Sequence, residues 1–384
     1  MRILSLTNCP LDPATGSGKT VLTYTNGLRL LGHGVEAVAP DQFEWMPRVR
    51  RARKFRQALG AWRFLRRRLA SPDFDLVEFY GDEFWLAACW LQRQRRRPFI
   101  VAHSNGFEPL YHERTRAMGS GTSGVRGELR SLMTRVTHER FSRVAFRSAD
   151  AFVGLCEIDR QHAIKLGLFT SDCTATIPPG LDEEYLGRPM GAGCAQRVAF
   201  TGSWIPRKGT DQLCRVMRNL MERNPALRLD VFGAAGVGDG VHSAFPAALQ
   251  PRITVHPRLA SADMAQGIAQ AGVFFFPTQY EGFGMALAEA MACGCAPVTT
   301  PTGYGAELKH GAEGQICDFI DEVAMERSIG ELLDNQDRRN SMAKMAQRKV
   351  QSLQWRKCIK DLETLYLGWL DAASRKPPTP TLPS

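Results

Sequence analysis

Two glutamates eight residues apart lie in the part of the sequence with the clearest chemistry. Glu281 precedes, and Glu289 lies within, a helix predicted over Met285–Ala292. The small residues Gly282 and Gly284 stand just before this helix and leave its first backbone N–H groups exposed. Such groups, at the positive end of the helix dipole, bind anions. The pattern predicts a phosphate site edged by two carboxylates, one able to hold a sugar hydroxyl and the other a ribose hydroxyl.

Two adjacent cations form a second candidate site. Arg207 and Lys208 follow a predicted strand, Arg197–Thr201, and precede a helix. Cations at the carboxyl end of a strand suit a phosphate leaving group. Two further loops have related character, since 301–307 is rich in glycine and 177–182 is a turn with two prolines.

A third segment, Gly16–Thr20, resembles the phosphate-binding P-loop. The first glycine of that pattern is replaced here by Pro13. Because proline has a fixed φ and no N–H, we do not expect a triphosphate-binding loop. The segment lies between a predicted strand, Arg2–Thr7, and a predicted helix, Thr20–Leu31. Two interpretations stay open: its N–H groups approach a diphosphate, or it forms only a tight turn.

At these residues the sequence resembles the group 1 (family four) retaining glycosyltransferases of the GT-B fold. The motifs that carry the resemblance are, in chain order, the Pro178–Asp182 turn, the Pro206–Gly209 loop, the Glu281 and Glu289 pair with its glycines, and the glycine loop ending at Glu307. The resemblance extends over about residues 1–370 and is stronger from 177 to 315. It implies an α/β fold of two Rossmann-like, doubly wound domains that face a central cleft.

The resemblance also implies a role for each matching residue. Lys208 would bind the diphosphate of the donor and stabilise the departing nucleotide. Glu281 would contact the transferred sugar and Glu289 the ribose, while His103, at the end of a strand, would support the sugar or the acceptor. The other implied donor-binding residues are Gly16, Gly18, Ser203, Arg207, Phe283, Gly284, Met285 and Glu307.

Two positions depart from the family pattern. Ser203 stands where the family usually has an arginine, and the nearby Arg207 could replace its charge. The usual pair of adjacent glycines in the third motif is split into Gly303 and Gly305. Both departures concern local contacts with the donor and leave the predicted fold unchanged.

The elements that must position these residues alternate between strand and helix in each half of the chain. The predicted strands are Arg2–Thr7, Val35–Ala39, Leu76–Tyr80, Phe99–His103 and Ala151–Leu155, then Arg197–Thr201, Arg228–Phe232, Ile253–His256, Val273–Phe276 and Ala296–Thr299. This alternation is typical of parallel sheets covered by helices on both faces. Longer helical stretches are predicted near Glu128–Ser148 and over Asp337–Leu370.

The 384 residues exceed one ordinary core and fit two domains. We predict an acceptor-side domain over 1–186 and a nucleotide-sugar domain over 187–355, joined at a segment rich in glycine and proline. A C-terminal helix over 356–372 is expected to return to the first domain. Residues 373–384 contain four prolines and are predicted to be a disordered tail.

Composition excludes several classes of protein. Apolar residues make up 44% and charged residues 23%, which are ordinary globular values. The sequence shows neither an apolar run that could span a bilayer nor the apolar region of a signal peptide. Ten cysteines without a CxxC and eight histidines without an HExxH predict reduced thiols in the cytoplasm and no zinc site. The DxD letters of Asp73–Asp75 precede a strand, and no metal cofactor is expected.

The excess of positive charge lies mainly in the first half. The whole chain has 49 basic and 39 acidic residues, net +10, and residues 1–190 have 28 and 20, net +8. Arg48–Arg68 is predicted to be a basic amphipathic helix. Its apolar positions are Phe55, Leu59, Trp62, Leu65 and Leu69. Residues 48–69 either dock on an anionic membrane surface that presents a lipid-linked acceptor, or pack on the core with a solvated basic face. Nucleic acid is not an expected partner.

These observations predict a metal-independent, retaining hexosyltransferase. It would move a sugar from a nucleotide-diphosphate sugar to a glycan or lipid-linked acceptor, as in cell-envelope polysaccharide or lipopolysaccharide synthesis, in the cytoplasm or on the inner face of the membrane. The alternatives are a nucleotide-sugar epimerase, a phosphorylase-like GT-B enzyme, or a basic membrane- or nucleic-acid-binding protein with a decayed site. The presence of Glu281, Glu289 and Lys208 favours the transferase.

Overall fold

A computed structural model describes most of the chain. The described residues are 1–13, 15–49, 51–69, 74–117, 137, 139–189, 194–234 and 236–375. They form two units, each with its own sheet. Unit 1 consists of Met1–Leu155, Asp159–Pro178 and the segment from Arg356, and unit 2 consists of Cys156–Ile158 and Pro179–Trp355.

Unit 1 is built on a six-stranded parallel sheet in the order β2-β1-β3-β4-β5-β6. Its strands are β1 (Arg2–Thr7), β2 (Gly34–Val38), β3 (Leu76–Tyr80), β4 (Phe99–His103), β5 (Ala151–Gly154) and β6 (Thr174–Thr176). Strands β3 and β5 are buried along their whole length, as expected for a sheet covered on both faces.

The helices of unit 1 cover this sheet. They are α1 (Gly16–Leu30), α2 (Pro40–Phe43), α3 (Arg53–Arg68), α4 (Trp85–Gln92), α5 (Glu108–Ala117), α6 (Arg140–Arg147), α7 (Glu157–Lys165, which begins in unit 2) and the C-terminal helix, labelled α14 below. One apolar cluster joins Leu65 of α3 and Ala87 of α4 to Val77 of β3. Because the strands are parallel, their carboxyl ends meet at one edge of the sheet.

Unit 2 has a second six-stranded parallel sheet, in the order β12-β11-β10-β7-β8-β9. Its strands are β7 (Cys194–Thr201), β8 (Arg228–Phe232), β9 (Ile253–Val255), β10 (Ala271–Phe276), β11 (Ala296–Thr299) and β12 (Gln315–Ile316). Its helices are α8 (Thr210–Arg223), α9 (Gly238–Ser243), α10 (Ser261–Ile268), α11 (Met285–Ala292), α12 (Glu322–Asp334) and α13 (Gln336–Val350). The two parallel sheets confirm the predicted α/β, doubly wound class.

The first helix begins earlier than predicted. It starts at Gly16, where the sequence suggested Thr20, so Gly16 and Gly18 lie in its first turn and not in a loop. A Cβ on Gly18 would lie 2.6 Å from the carbonyl oxygens of both Pro10 and Asp12. A glycine at this position therefore lets the helix start pack closely on the preceding loop.

The helical stretch predicted over Asp337–Leu370 is interrupted in the structure. The structure has two helices, α13 and α14 (Trp355–Arg375), separated by a break at 351–354. The backbone N–H of Leu181 donates to the carbonyl of Leu353 at 2.7 Å, and this pairing holds the break open. The sequence pattern did not show this break, because the break depends on pairing with a distant residue and not on the local sequence.

The unit boundaries differ in detail from the predicted domains. The chain leaves unit 1 at Pro178, eight residues before the boundary predicted at 186, and α14 belongs to unit 1. Helix α14 continues to Arg375, so residues 373–375 of the predicted tail are helical. Residues 376–384, residues 190–193 of the predicted linker, and residues 128–136 and 138 of the predicted long helix lie outside the described residues. Among the described helices, none is long and apolar enough to cross a bilayer.

Candidate active site

The loop that carries Lys208 lies in unit 2, where β7 ends. A single 3₁₀ turn, Pro206–Lys208, is followed by Gly209 in the left-handed conformation, with φ +73°. A Cβ on Gly209 would lie 1.7 Å from the carbonyl oxygen of Pro277, which directly follows β10. Glycine is the residue that permits both the conformation and the close approach. The loop is therefore fixed against the end of the neighbouring strand.

Lys208 and Glu281 form an ion pair at this strand edge. The Nζ atom of Lys208 lies 2.6 Å from Oε1 of Glu281, and the two side chains are 16% and 10% exposed. The hydroxyl of Thr278 donates to the same carboxylate oxygen at 2.8 Å. Nζ also lies 5.6 Å from the centroid of the Phe276 ring. The pair is held on several sides, yet it keeps enough exposure for a ligand to take over either charge.

Arg207 and Ser203 occupy different environments in the same loop. The Nη1 group of Arg207 donates to the carbonyl of Tyr280 at 2.8 Å, and the carbonyl of Arg207 accepts from the N–H of Gln279 at 3.0 Å. Arg207 thus ties the loop after β7 to the loop after β10. Ser203 is exposed. Replacement of the missing family arginine by Arg207 stays a prediction.

The start of α11 supplies backbone donors beside the ion pair. Gly284 caps the helix with φ +94°, and the N–H groups of Phe283, Gly284 and Met285 make no hydrogen bond to any part of the chain that the structure describes. A Cβ on Gly303, whose φ is +50°, would lie 2.4 Å from the carbonyl oxygen of Phe283. The N–H of Tyr304 donates to that oxygen at 2.7 Å. Free N–H groups at the positive end of a helix suit a phosphate.

Glu289 lies further along α11 and is half-buried. It is close enough to Tyr185 to act on its ionisation, since burial raises the pKa of Tyr185 and the charge of Glu289 raises it further. The carboxylate therefore lies on the same helix as the free N–H groups, about one turn beyond Met285. Its contact with a ribose stays a prediction.

Glu307 is held by the backbone. Its Oε1 atom accepts the N–H of Glu157 at 2.7 Å, and burial raises the pKa of Glu307. Next to this contact the thiol of Cys156 donates to the carbonyl of Gly282 at 3.0 Å. Both contacts stabilise the loops around the start of α11. A direct contact between Glu307 and the donor stays a prediction.

His103 lies in unit 1, at the carboxyl end of β4, and is 1% exposed. Its ring stacks on Tyr80 with centroids 4.3 Å apart, and its Nε2 atom lies 2.5 Å from the hydroxyl of Tyr366 on α14. Burial lowers the pKa of His103 to about 3, so the ring is neutral at physiological pH. Tyr366 also donates to Glu78, a residue that the motifs did not point to. A charged residue inside the apolar strand Leu76–Tyr80 was the available signal.

The two glycines of unit 1 differ in their surroundings. Gly16 is exposed and has no other atoms near the position of a Cβ, whereas Gly18 is buried. Both belong to the start of α1, a helix N-terminus at the carboxyl end of β1. The position suits an anion, and contact with donor phosphates stays a prediction.

An acidic cluster that the sequence did not reveal lies in unit 1. Oxygens of Asp82, Glu83 and Glu108 lie within 4.8 Å of one another, and it is the one such group of possible metal ligands among the described residues. Lys54 already neutralises part of this charge, with Nζ 2.9 Å from Asp82. Burial raises the pKa of Glu108 well above its ordinary value. Asp82 and Glu83 are adjacent in sequence, but Glu108 follows the next strand, so spacing along the sequence did not show the cluster.

The basic segment packs differently from the amphipathic helix predicted over Arg48–Arg68. Helix α3 begins at Arg53, and its apolar stripe faces the core, with Leu65 fully buried and Trp62 packed against the same cluster. The core-packed interpretation therefore accounts for this part of the helix. Phe55, in the first turn of α3, is 41% exposed, and further exposed apolar side chains lie in the preceding loop, at Trp45, Met46 and Val49.

Comparisons with known proteins agree with this geometry. A family model described as a glycosyl transferase 4-like domain matches residues 15–180, and one described as glycosyl transferases group 1 matches residues 195–349. A D-inositol 3-phosphate glycosyltransferase from Salinispora tropica is 31% identical over 180 residues, 44% of this chain and 37% of that protein. The chain matches 37% to 59% of the length of three relatives with that name.

Two solved structures share the fold. Sucrose-phosphate synthase from Thermosynechococcus elongatus superposes with a TM-score of 0.75 at 17% identity, covering 97% of this chain and all of that one. HepE from Anabaena, solved in complex with UDP, has a TM-score of 0.68 at 16% identity and covers 96% of this chain and all of that one. Since the two family models together match most of the sequence and the fold matches along its length, the chain belongs to the group 1 glycosyltransferases of GT-B fold.

Proposed function

We propose that the protein transfers a sugar from a nucleotide-diphosphate sugar to a glycan or lipid-linked acceptor, with retention at the anomeric carbon. The observation that carries the proposal is the Lys208–Glu281 pair, 2.6 Å apart, beside the free N–H groups at the start of α11. Positive and negative groups are thus available together, one for a leaving diphosphate and one for a sugar hydroxyl. Synthesis of a cell-envelope polysaccharide or lipopolysaccharide is the process we propose for this activity.

The leaving nucleotide requires positive potential. As the bond from sugar to phosphate breaks, negative charge grows on the diphosphate, and fixed positive groups lower the barrier. In this scheme the ammonium group of Lys208 leaves Glu281 and binds a phosphate oxygen, while three backbone N–H groups bind the other oxygens. These N–H groups belong to Phe283, Gly284 and Met285. The released carboxylate of Glu281 then accepts a hydrogen bond from a hydroxyl of the sugar. Glu289 binds the ribose.

A metal ion is not part of this scheme, because Lys208 and the helix N-terminus supply the positive charge. Transfer is expected to continue in excess EDTA. Loss of activity in EDTA that returns with Mg²⁺ or Mn²⁺ would contradict this part of the proposal. A matched variant, Asp82→Asn, tests whether such a requirement comes from the acidic cluster of unit 1.

Thermal shift with a panel of nucleotides and nucleotide sugars is the first test. UDP and UDP-sugars come first, because UDP is bound in the structure of HepE. We expect at least one nucleoside diphosphate or its sugar to raise Tm, since a ligand that binds only the folded state stabilises it. If no member of the panel raises Tm, the proposal fails.

Glu281→Ala separates binding from folding. We expect transfer to be lost while Tm stays near that of the wild type, because the residue is at the strand edge and not in the core. Glu331→Ala is the matched control, since Glu331 of α12 forms an exposed ion pair with Arg338. Wild-type transfer by Glu281→Ala would contradict the assignment.

Analysis of the products distinguishes the alternatives. A transferase releases the nucleoside diphosphate and adds the sugar to an acceptor, with an anomeric configuration that NMR identifies as that of the donor. An epimerase returns a changed sugar without an acceptor, and a phosphorylase requires inorganic phosphate. An inverted product would contradict retention while leaving transfer intact.

We also propose that unit 1 docks on an anionic bilayer through an exposed loop, residues 45–49, named here the tryptophan loop. Trp45, Met46 and Val49 are 38%, 51% and 46% exposed. The guanidinium of Arg63 lies 5.1 Å from the centroid of the Trp45 ring, and Arg48 is exposed within the loop. Apolar side chains beside cations are the combination that binds anionic lipid surfaces.

The tryptophan loop is held in place by Arg56. This buried side chain donates to the carbonyls of Met46 at 2.8 Å and Arg51 at 3.0 Å, and pairs with Glu44 at 2.7 Å. Met46 has a left-handed φ of +53°, which is costly for a side-chain-bearing residue. The apolar side chain of Met46 is nevertheless exposed, so the backbone of the loop is held in a conformation that keeps this side chain in solvent.

Co-sedimentation with vesicles tests the docking surface. We expect binding to phosphatidylglycerol-containing vesicles at low salt, weaker binding to phosphatidylcholine alone, and loss of binding in Trp45→Ser/Met46→Ser. The matched control is Ile320→Ser/Val323→Ser, at two residues of unit 2 that are each 77% exposed. Failure of the wild type to bind anionic vesicles, or an equal loss in the control, would overturn the proposal.

A further inference from the structure

A buried chain of hydrogen bonds connects two strands and one helix of unit 1 to His103 on β4. The hydroxyl of Ser5 on β1 and the hydroxyl of Tyr366 on α14 both contact the carboxylate of Glu78 on β3. The same Tyr366 oxygen lies 2.5 Å from Nε2 of His103. All four side chains are buried to at least 99%. The chain links the last helix of the described sequence to the one candidate catalytic residue of unit 1.

The other ring nitrogen of His103 is left over. Its Nδ1 atom is buried and has no hydrogen-bond partner among the described residues. Buried polar atoms are normally satisfied by protein, water or ligand, and an exception needs an explanation. Nε2 therefore has a hydrogen-bond partner in the protein and Nδ1 has none, and this asymmetry favours one tautomer of the ring.

Two proton arrangements fit the observed contacts. In the first, an anionic Glu78 accepts from Ser5 and Tyr366, the Tyr366 oxygen accepts from Nε2–H, and Nδ1 keeps a lone pair. In the second, a protonated Glu78 donates to Tyr366, Tyr366 donates to Nε2, and Nδ1 carries the proton. The second leaves a buried N–H donor without an acceptor, which is rarer in proteins than an unfilled acceptor. The contacts therefore favour the first.

We propose that Tyr366 and Glu78 are positioning residues that hold His103 in the Nε2–H tautomer and leave Nδ1 as an acceptor for a ligand hydroxyl. The second half of this statement rests on the proposed function, and the first half does not. A neutral imidazole without such partners exchanges between two tautomers, so a fixed second partner decides which nitrogen a ligand meets. Tyr366 acts through His103 and is not itself placed against a substrate.

The protein without ligand tests the tautomer. We expect ¹⁵N NMR of labelled wild-type protein to show His103 with a protonated Nε2 and an unprotonated Nδ1 between pH 5 and pH 8. Tyr366→Phe keeps the ring and removes the hydroxyl, and should shift His103 to a mixture of tautomers. Tyr80→Phe is the matched control, because the Tyr80 ring stacks on His103 and its hydroxyl makes no hydrogen bond to the imidazole. Its spectrum should stay that of the wild type.

Three outcomes would overturn the positioning role. These are a protonated Nδ1 in the wild type, an unchanged His103 signal in Tyr366→Phe, or an equal change in Tyr80→Phe. Glu78→Gln is the second variant in case Tyr366→Phe does not fold, and it should disturb the same tautomer because the carboxylate no longer fixes the direction of the Tyr366 proton.

Kinetics test the contact with the ligand hydroxyl. Tyr366→Phe should lower kcat for sugar transfer about tenfold, the scale of losing a partner that orients a functional histidine, while the Kd for the nucleoside diphosphate stays unchanged. A shifted tautomer with unchanged kcat would overturn the contact with the ligand hydroxyl and leave the positioning role. If the wild type transfers no sugar, the proposed function fails, and the NMR result still decides the tautomer.

Discussion

The candidate residues of unit 2 and unit 1 are held in place by different means. In unit 2 the backbone does most of the positioning: Gly209, Gly284 and Gly303 adopt positive φ angles, and two of them approach a carbonyl oxygen too closely for any side chain. In unit 1 the positioning comes from side chains, through the hydrogen bonds that join Glu78, Tyr366 and His103. Both arrangements join residues that are far apart in sequence, but the first depends on backbone conformation and the second on side-chain hydrogen bonds.

The difference extends to charge. Lys208 and Glu281 are ionised partners with some exposure, suited to exchanging each other for a charged ligand. His103 is neutral and almost fully buried, suited to a directional hydrogen bond. Unit 2 therefore has the groups for a diphosphate, and unit 1 has a group for a hydroxyl. Substitutions should affect charge-dependent steps in the first case and tautomer-dependent steps in the second.

Lys208→Ala should lower kcat more strongly than substitutions in unit 1. Removing the cation beside the leaving group is expected to lower kcat by about 10²–10³-fold, as for other groups that stabilise developing charge. Steady-state kinetics with the donor identified by thermal shift measure this loss. Lys360→Ala, at an exposed position of α14, is the control. Near-wild-type kcat in Lys208→Ala would remove the distinction in charge between the units.

Gly209→Ala tests backbone positioning through stability. Gly209 and Gly311 both belong to unit 2 and have φ of +73° and +78°, but only Gly209 has an atom within contact distance of a Cβ. Gly311→Ala should cost about 1 kcal/mol for its conformation, and Gly209→Ala about 2–4 kcal/mol because the contact with Pro277 is added. Urea unfolding measures both. Equal losses would mean that the close approach does not matter.

The pH dependence of stability tests the burial of His103. Its pKa is about 3 in the folded protein and 6.5 ordinarily, so between these values the unfolded state binds more protons. The stabilisation is therefore complete above pH 6.5 and is lost as the pH falls, at a limiting slope of about 1.4 kcal/mol per pH unit. His103→Gln should remove this contribution between pH 6.5 and pH 5.

The control for this measurement is His310→Gln, at an exposed position of unit 2. Urea unfolding of each variant against wild type at the same pH cancels the contribution of His162, whose pKa burial also lowers, and of the buried glutamates, whose raised pKa values act in the opposite direction. A His103→Gln curve parallel to that of the wild type would show that the imidazole is not buried as described.

Sequence patterns succeeded where structure is set locally. The strands Leu76–Tyr80 and Phe99–His103 and the helix Met285–Ala292 have the predicted bounds, because each is a short apolar run closed by glycine or a polar turn. The two parallel sheets follow from the alternation of strands and helices. The Lys208–Glu281 contact was foreseeable in outline, since both residues follow neighbouring parallel strands.

Distant pairings were beyond the reach of local patterns. Tyr366 and Glu78 are 288 residues apart, and nothing in either segment specifies the other. The break between α13 and α14 depends on Leu181, which pairs with Leu353 from another part of the chain. The basic segment left two interpretations open for a related reason: the apolar stripe of α3 has the same period whether it meets lipid or the core formed by Leu65 and its neighbours.

The return of α14 to unit 1 has a consequence during synthesis on the ribosome. Unit 1 is the first to be translated, yet Tyr366 emerges 288 residues after Glu78, when the sheet of unit 2 has already been made. Until then Glu78 and His103 have no Tyr366 to bond. Unit 1 is therefore synthesised first but completes its native contacts last, after Tyr366 has been added to the chain.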